Sequence, residues 1–194
     1  MAIIRRIDVL AGKFEDIAAD ARAHPKHEFW AIEPKEIYAK EALAENPLIT
    51  KLKNLNITQG ISCDEALARL SQAGHKARLI TLRVPSKDYG IHKLLAAAKP
   101  LLVPKGKVIW TDEISRDRVD YALMILRGTV PQFLPKNDEE AIARCEELAE
   151  RLGYTYCYMG NTKPRTDFEK WLTTPGNHAS WDNISRHKFT LKQA

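Results

Sequence analysis

The sequence predicts an α/β protein with a doubly wound, mostly parallel sheet of seven strands and an antiparallel C-terminal edge. The main observation is that apolar, strand-like runs alternate with helical patterns, which is typical of βαβ units around a parallel sheet. Helix-boundary signals agree with this segmentation, since Ser62 precedes Glu65 at the capping-box spacing. After Thr111 the alternation stops, and two further strands close the chain.

Five strands are predicted before that change, and a helix follows each of the first four. In chain order the pairs are IIRRIDVL with FEDIAADARA, EFWAIEP with KEIYAKEALAE, LKNLNIT with CDEALARLSQAG, and ARLITLRVP with IHKLLAAAKPLL; KVIWTDE is the fifth strand. Gly74 and Gly106 are candidates for ending an element. The remaining elements are the helices RDRVDYALMIL and NDEEAIARCEELAERLG and the strands YTYCYMG and DNISRHKFTL.

The composition favours one compact domain over residues 1–194. A chain of this length with 44% hydrophobic residues fits a single core, and its formal net charge of +5 leans mildly toward a polyanionic partner. Three widely spaced cysteines indicate neither a disulfide framework nor a zinc site, and His24 and His27 are interpreted as surface residues. No apolar run reaches the roughly 20 residues of a membrane helix. We therefore expect a soluble, cytoplasmic protein that holds no metal.

Ligands of doubly wound sheets bind beyond the carboxyl ends of the strands, and Glu33 ends the second strand. An acid there commonly accepts hydrogen bonds from the ribose hydroxyls of a nucleoside, although a solvated carboxylate is an equally good interpretation. Asp64 follows the third strand and could meet an adenine amino group, but the first turn of a helix favours acids anyway. Asp112 either points into the crevice or caps a helix that begins near Ile114 or Ser115.

Two aromatic or polar stretches near the end of the chain allow two interpretations each. Tyr154, Tyr156 and Tyr158 alternate on one strand, so their rings share a face, and packing against helices is favoured over base stacking. In KPRTDFEKW, Thr166 and Glu169 have the spacing of a capping box, but both side chains could instead face a substrate.

A larger pattern comes from the order of several segments along the chain. AHPKHEFWAIEP is followed by KPLLVPKGKVIWTDE with YALMIL, then by TDFE, and then by G-x-x-x-x-WD. In this order they resemble the bacterial tRNA (guanine-N7)-methyltransferase family, from about Gly12 to Phe189. Those enzymes are class I S-adenosylmethionine-dependent methyltransferases with a Rossmann-like sheet. The resemblance implies S-adenosylmethionine as the cofactor, and tRNA or another structured RNA as the partner.

The resemblance also implies roles for individual residues. In the family an acid after the second strand binds the cofactor ribose, a Thr-Asp pair follows the fifth strand, and a late Thr-x-Phe-Glu motif contacts the guanine. Those positions are Glu33, Thr111 with Asp112, and Thr166 with Phe168 and Glu169. The resulting assignment is Asp112 and Glu169 as catalytic residues, Gly12, Glu33, Asp64 and Ser86 for the cofactor, and Thr111, Asp112, Arg165, Thr166 and Glu169 for the substrate.

Two segments depart from the family pattern. The glycine-rich first loop retains Gly12, while Asp8 and Leu10 stand where glycines are expected. The turn after the fourth strand is RVPSKDYG, in which Ser86 replaces the family's acid. Two alternatives therefore stay open: a degenerate, non-catalytic relative that binds RNA or a partner, and a methyltransferase with another substrate.

Overall fold

The structure, a computed structural model, describes residues 3–83, 91–114, 138–162 and 183–192. Seven strands lie in these ranges: β1 (Ile3–Val9), β2 (Glu28–Glu33), β3 (Leu55–Gln59), β4 (Lys76–Arg83), β5 (Leu102–Ile114), β6 (Tyr154–Thr162) and β7 (Asn183–Leu191). The α-helices there are α1 (Glu15–Ala23), α2 (Glu36–Glu45), α3 (Cys63–Gln72), α4 (Ile91–Ala98) and α5 (Asp138–Leu152). Short 3-10 helices occupy Pro47–Lys51 and Lys99–Leu101.

All seven strands form one sheet in the order β3-β2-β1-β4-β5-β7-β6. Neighbours from β3 to β5 pair in parallel, whereas β7 pairs antiparallel with both β5 and β6. The predicted mostly parallel, seven-stranded sheet with an antiparallel C-terminal edge is therefore confirmed. The last strand of the chain inserts between β5 and β6, and β6 forms the outer edge.

Most element boundaries follow the predicted ones, with two corrections around β5. Gly106 lies inside β5 and does not end an element. The strand also continues to Ile114, so Asp112 is part of it and does not cap a helix that begins at Ile114. Its pairing with β7 explains the extra length, because each added residue gains a ladder partner. The predicted helix RDRVDYALMIL lies outside the described residues.

Apolar side chains pack on both faces of the sheet. On one face a cluster joins the strands to α3, α4 and α5 through residues such as Leu67, Leu94 and Leu148. On the other face, Ile17 of α1 and Ala39 of α2 pack against the sheet. A doubly wound sheet has this arrangement because its buried strands must be covered by helices on both sides. In the described parts of the chain, no helix combines the length and apolar character that crossing a membrane requires.

The tyrosines of β6 do share a face, but they differ in what they contact. The buried hydroxyl of Tyr154 donates a hydrogen bond to the carbonyl of Leu95 in α4, at 2.7 Å, and burial raises its pKa. The hydroxyl of Tyr156 instead lies 2.8 Å from Nδ1 of His187 on β7. The expected packing against a helix therefore holds for Tyr154, while Tyr156 takes part in a ring cluster within the sheet.

His187 is the centre of that ring cluster and is only 6% exposed. Its imidazole stacks on the indole of Trp110, with ring centroids 4.5 Å apart. Burial lowers the pKa of His187 from 6.5 to about 4, because the charged imidazolium would lose its hydration. The folded protein therefore holds this histidine neutral at pH values where the unfolded chain already protonates it.

We expect His187 to weaken the fold as the pH falls from 6.5 toward 4. The unfolded state takes up a proton in this window and the folded state does not, which lowers the free energy of unfolding by about 2–3 kcal/mol. Urea unfolding at pH 7 and pH 4.5 should show a smaller pH dependence for His187→Gln than for the wild type. The exposed His27→Gln variant is the control, and equal pH dependence in all three proteins would contradict the prediction.

Candidate functional site

The loops after β1, β2 and β3 meet at Glu33. Its Oε2 accepts a hydrogen bond from the backbone N–H of Gly12, and its Oε1 accepts one from the N–H of Lys35, both at 3.0 Å. Its main-chain carbonyl accepts a third, at 3.3 Å, from the N–H of Gly60. One residue therefore fixes the carboxyl ends of three neighbouring strands.

The side chain of Glu33 has acceptor capacity beyond these contacts. The residue is only 4% exposed, so the interpretation as a solvated carboxylate is wrong. An ionised carboxylate offers about four lone-pair positions, and two of them receive the hydrogen bonds from Gly12 and Lys35. The remaining positions suit a pair of neighbouring hydroxyl groups, such as those of a ribose.

The loop after β1 alternates left-handed residues. Leu10, Gly12 and Phe14 have φ angles of 56°, 55° and 60°, and the N–H of Ala11 between them donates to the carbonyl of Ile32 at 3.1 Å. Glycine adopts this backbone region readily, whereas a residue with a Cβ atom incurs a cost of roughly 1–2 kcal/mol. Asp8 lies in β1, one residue before the strand ends, and is not among the left-handed residues of the loop. The glycine-like positions are 10, 12 and 14.

Side-chain burial offsets the strain at the two positions that carry side chains. Phe14 is 1% exposed and packs in the cluster beneath α1 and α2. Leu10 packs against the cluster on the other face of the sheet. Burying a large apolar side chain contributes about 1.5–3 kcal/mol, which is comparable to the backbone cost. The loop therefore keeps a glycine-type path without three glycines.

A buried ion pair lies beneath this loop. The guanidinium of Arg6 is 3.1 Å from Oδ2 of Asp8, and Arg6 Nε donates to Thr81 Oγ1 at 3.0 Å. Thr81 Oγ1 donates in turn to Asp8 Oδ1 at 2.7 Å, and Arg6 also pairs with Asp20 of α1. Burial acts to lower the pKa of Arg6, but Asp8 and Asp20 raise it above its usual value. This network locks β1, β4 and α1 together.

Charged side chains of both signs surround the first loop. Glu15 and Asp16 occupy the first turn of α1, and Asp8 and Glu33 lie on either side of the loop; Arg6 is the buried cation, and the exposed Lys13 pairs with Glu45 of α2 at 2.9 Å. A helix N-terminus ordinarily attracts phosphate or another anion, but here the helix's own acids already neutralise it. These acids make the start of α1 a poorer phosphate site than a helix N-terminus without acids.

The other predicted site residues are placed less directly. Asp64 lies in the first turn of α3, where Ser62 caps the helix by accepting from the N–H of Glu65 at 3.2 Å. This is the ordinary position of a helix-stabilising acid, and it does not distinguish a cofactor contact. Ser86, Arg165, Thr166, Phe168 and Glu169 lie outside the described residues.

Thr111 and Asp112 lie near the same end of the sheet as the first loop. Val9 pairs with Leu82 of β4, and Leu82 pairs with Trp110 of β5. Thr111 and Asp112 therefore extend beyond the level at which β1 ends. Their backbones pair with Arg186 and Ser185 of β7.

No metal site forms in the part of the chain that the structure describes, since no group of three or more His, Cys, Asp or Glu side chains comes together there. The rings of His24 and His27 meet edge to face, with centroids 5.9 Å apart. His27 is exposed, in agreement with the surface position expected for this pair.

Comparison with known proteins gives a match in fold. No protein-family model matches the chain, and no curated protein matches it in sequence. A mutant of the 16S rRNA (adenine(1408)-N(1))-methyltransferase from Catenulisporales acidiphilia, crystallised with the cosubstrate SAM, has a TM-score of 0.63 at 14% identity, covering 99% of this chain and 87% of that one. The aminoglycoside resistance methyltransferase NpmB1 has a TM-score of 0.62 at 14% identity, covering 98% and 88%.

A third match is a methyltransferase of a precorrin. The precorrin-6y C5,15-methyltransferase from Geobacter metallireducens has a TM-score of 0.58 at 10% identity, covering 98% of this chain and 82% of that one. At these identities the likeness shows the fold, which is the Rossmann-like methyltransferase fold. The neighbours do not single out the tRNA (guanine-N7) family.

We expect a protein with glycine at position 10 to be more stable than one with alanine there. Glycine usually lowers stability relative to alanine by about 0.5–1 kcal/mol, but at a φ of 56° alanine suffers the Cβ strain and glycine does not. The free energy of unfolding of Leu10→Gly should therefore exceed that of Leu10→Ala by about 1 kcal/mol, and urea should unfold Leu10→Gly at the higher concentration. At the exposed Lys13 in the same loop, the Gly variant should be the less stable one. The same order at both positions would contradict the strain at Leu10.

Proposed function

We propose that this chain is an S-adenosylmethionine-dependent methyltransferase whose substrate is guanine N7 in tRNA or a related structured RNA. The observation that carries the cofactor is the buried carboxylate of Glu33 beside a helix start that already holds two acids, Glu15 and Asp16. S-adenosylmethionine combines a ribose diol with a cationic sulfonium and has no phosphate, whereas dinucleotides and nucleoside triphosphates would bring phosphates to the start of α1. The crystallised relative with its cosubstrate SAM supports the same choice.

In this proposal the binding residues divide between the two ligands. Glu33 accepts the ribose hydroxyls, the loop around Gly12 lies beside the methionine part, and Asp64 and Ser86 complete the cofactor site. The RNA base is held by Thr111, Asp112, Arg165, Thr166 and Glu169. The assignments of Ser86, Arg165, Thr166 and Glu169, which lie outside the described residues, rest on the family resemblance.

The proposed reaction requires no proton transfer before the methyl group moves. The lone pair of guanine N7 forms the new C–N bond, the C–S bond breaks, and the sulfur keeps that electron pair. The products are S-adenosylhomocysteine and an N7-methylated guanine that carries the positive charge. The carboxylates of Asp112 and Glu169 stabilise this charge as it develops, so alignment and electrostatics supply the catalysis.

Cofactor binding tests the first half of the proposal. Calorimetry should detect micromolar binding of S-adenosylmethionine and S-adenosylhomocysteine to the wild type. Glu33→Gln should bind at least about tenfold more weakly, because the amide offers one acceptor oxygen where two N–H groups and a diol need several. Glu28→Gln, at the opposite end of β2, is the matched control and should bind like the wild type.

The outcomes separate the alternatives. Equal affinity of Glu33→Gln and the wild type would show that the cofactor does not use this carboxylate. An absence of binding at millimolar ligand would favour the degenerate, non-catalytic relative.

Methyl transfer tests the substrate. Purified protein with labelled S-adenosylmethionine and unmodified tRNA should transfer label to N7 of guanine, and Glu169→Ala should reduce the rate by at least about a hundredfold if it stabilises the developing charge. Digestion to nucleosides identifies the product. Label on an adenine of 16S rRNA, the base named for a structural neighbour, would instead favour a methyltransferase with another substrate.

A further inference from the structure

A groove lies at the amino edge of the sheet, opposite the candidate site. It is formed where the last turn of α1 faces the segment that leads from the 3-10 helix Pro47–Lys51 into β3, and its volume is about 550 Å³. Ala21 and Leu52 contribute apolar surface, and three exposed cations line it: Arg22, Lys51 and Lys53. We refer to it as the amino-edge groove.

The side-chain amide of Asn54 holds together the two segments that form the amino-edge groove. Nδ2 of Asn54 donates to the carbonyls of Ala21, His24 and His27, at 2.9, 3.2 and 3.0 Å. These contacts tie the end of α1 and the turn after it to the start of β3. The backbones that carry the cations are therefore held in place before any ligand arrives.

The cations of the groove are not paired with acids of the described chain, and neither is the neighbouring Lys26. Arg22, Lys51 and Lys53 form no ion pair with any described residue, whereas Lys40 and Arg69 pair with Glu36 and Glu65 on their own helices. Cations at helix C-terminal ends are common because they complement the helix dipole, and this ordinary explanation covers Arg22 and Lys51. It does not cover Lys53, which lies in the turn before β3.

The acid nearest to the groove on β2 is Glu28, at the start of the strand. Its Oε1 accepts hydrogen bonds from Trp30 Nε1 at 2.9 Å and from Asn56 Nδ2 at 3.2 Å, which hold it against β2 and β3. Among the described residues, the lining of the groove contains three cations and no acid. A polyanion that approaches the candidate site needs positive charge elsewhere on the surface.

We propose that the amino-edge groove binds the phosphodiester backbone of the RNA substrate. The groove and the proposed base site on β5 are separated by about 13 Å along the strands, the length of the nine-residue α1, and by four inter-strand spacings, about 19 Å, across the sheet; the resulting distance of about 23 Å is the length of about seven stacked nucleotides. A structured RNA can thus present a base at the carboxyl edge while its backbone contacts the groove. This inference rests on the proposed function in one respect, namely that the substrate is an RNA.

The test compares two triple variants. The groove variant carries Arg22→Ala, Lys51→Ala and Lys53→Ala; the control carries Lys40→Ala, Arg69→Ala and Lys192→Ala, which removes cations that each pair with a glutamate. Fluorescence anisotropy with labelled tRNA transcript over a series of salt concentrations gives the slope of log affinity against log salt. The groove variant should lose about 2–3 in that slope and at least about tenfold in affinity, and the control less than 1.

The outcomes are distinguishable from those of the proposed function. An unchanged slope in the groove variant, with unaltered thermal unfolding, would overturn the groove proposal while leaving cofactor binding untouched. Calorimetry with S-adenosylmethionine should give the wild-type affinity for both triple variants, because neither set touches the cofactor site. If polyglutamate displaced the RNA as well as an equal charge of unlabelled RNA does, the groove would bind an acidic protein surface and the proposal would fail.

Discussion

The geometry of the carboxyl edge depends on the hydrogen bonds that Glu33 accepts from the surrounding loops. The Glu33 carboxylate gives the N–H groups of Gly12 and Lys35 their acceptors, and the carbonyl of the same residue receives the N–H of Gly60. A hydrogen bond to a charged group contributes about 1.5–3 kcal/mol, so these two contacts stabilise the positions of the loops after β1 and β2 around this side chain. A ligand would meet a shape that is already formed.

The charged side chains of this fold differ in whether a group of opposite charge lies beside them. Inside the sheet, Arg6 is surrounded by Asp8, Thr81 and Asp20, which leaves no isolated buried charge. At the carboxyl edge, Glu15 and Asp16 occupy the first turn of α1, where acids stabilise the helix N-terminus. Positive charge is therefore paired with acids in the interior, at Arg6, and exposed along the amino edge, at Arg22, Lys51 and Lys53.

The sequence predicted the sheet well because its signal is local. Strands buried on both faces must be continuous apolar runs, and Glu33 is conspicuous as the acid that ends one of them. The network of Arg6 and Asp8 was missed, although their spacing of two on a strand puts both side chains on one face. Their partner Thr81 comes from a strand far along the chain. The left-handed conformations of Leu10 and Phe14 were also missed, because tertiary packing imposes them against the preference of the residues.

The insertion of β7 between β5 and β6 sets the order in which the sheet can be completed. β5 and β6 come earlier in the chain, yet they have no ladder with each other in this sheet and both depend on β7. During synthesis the earlier strands can assemble with their helices, while one side of β5 waits with unpaired N–H and C=O groups. The cluster of Trp110 and His187 closes over the core only when β7 docks. Emerging chains of this protein thus carry an open strand edge at β5 until residues 183–191 have left the ribosome.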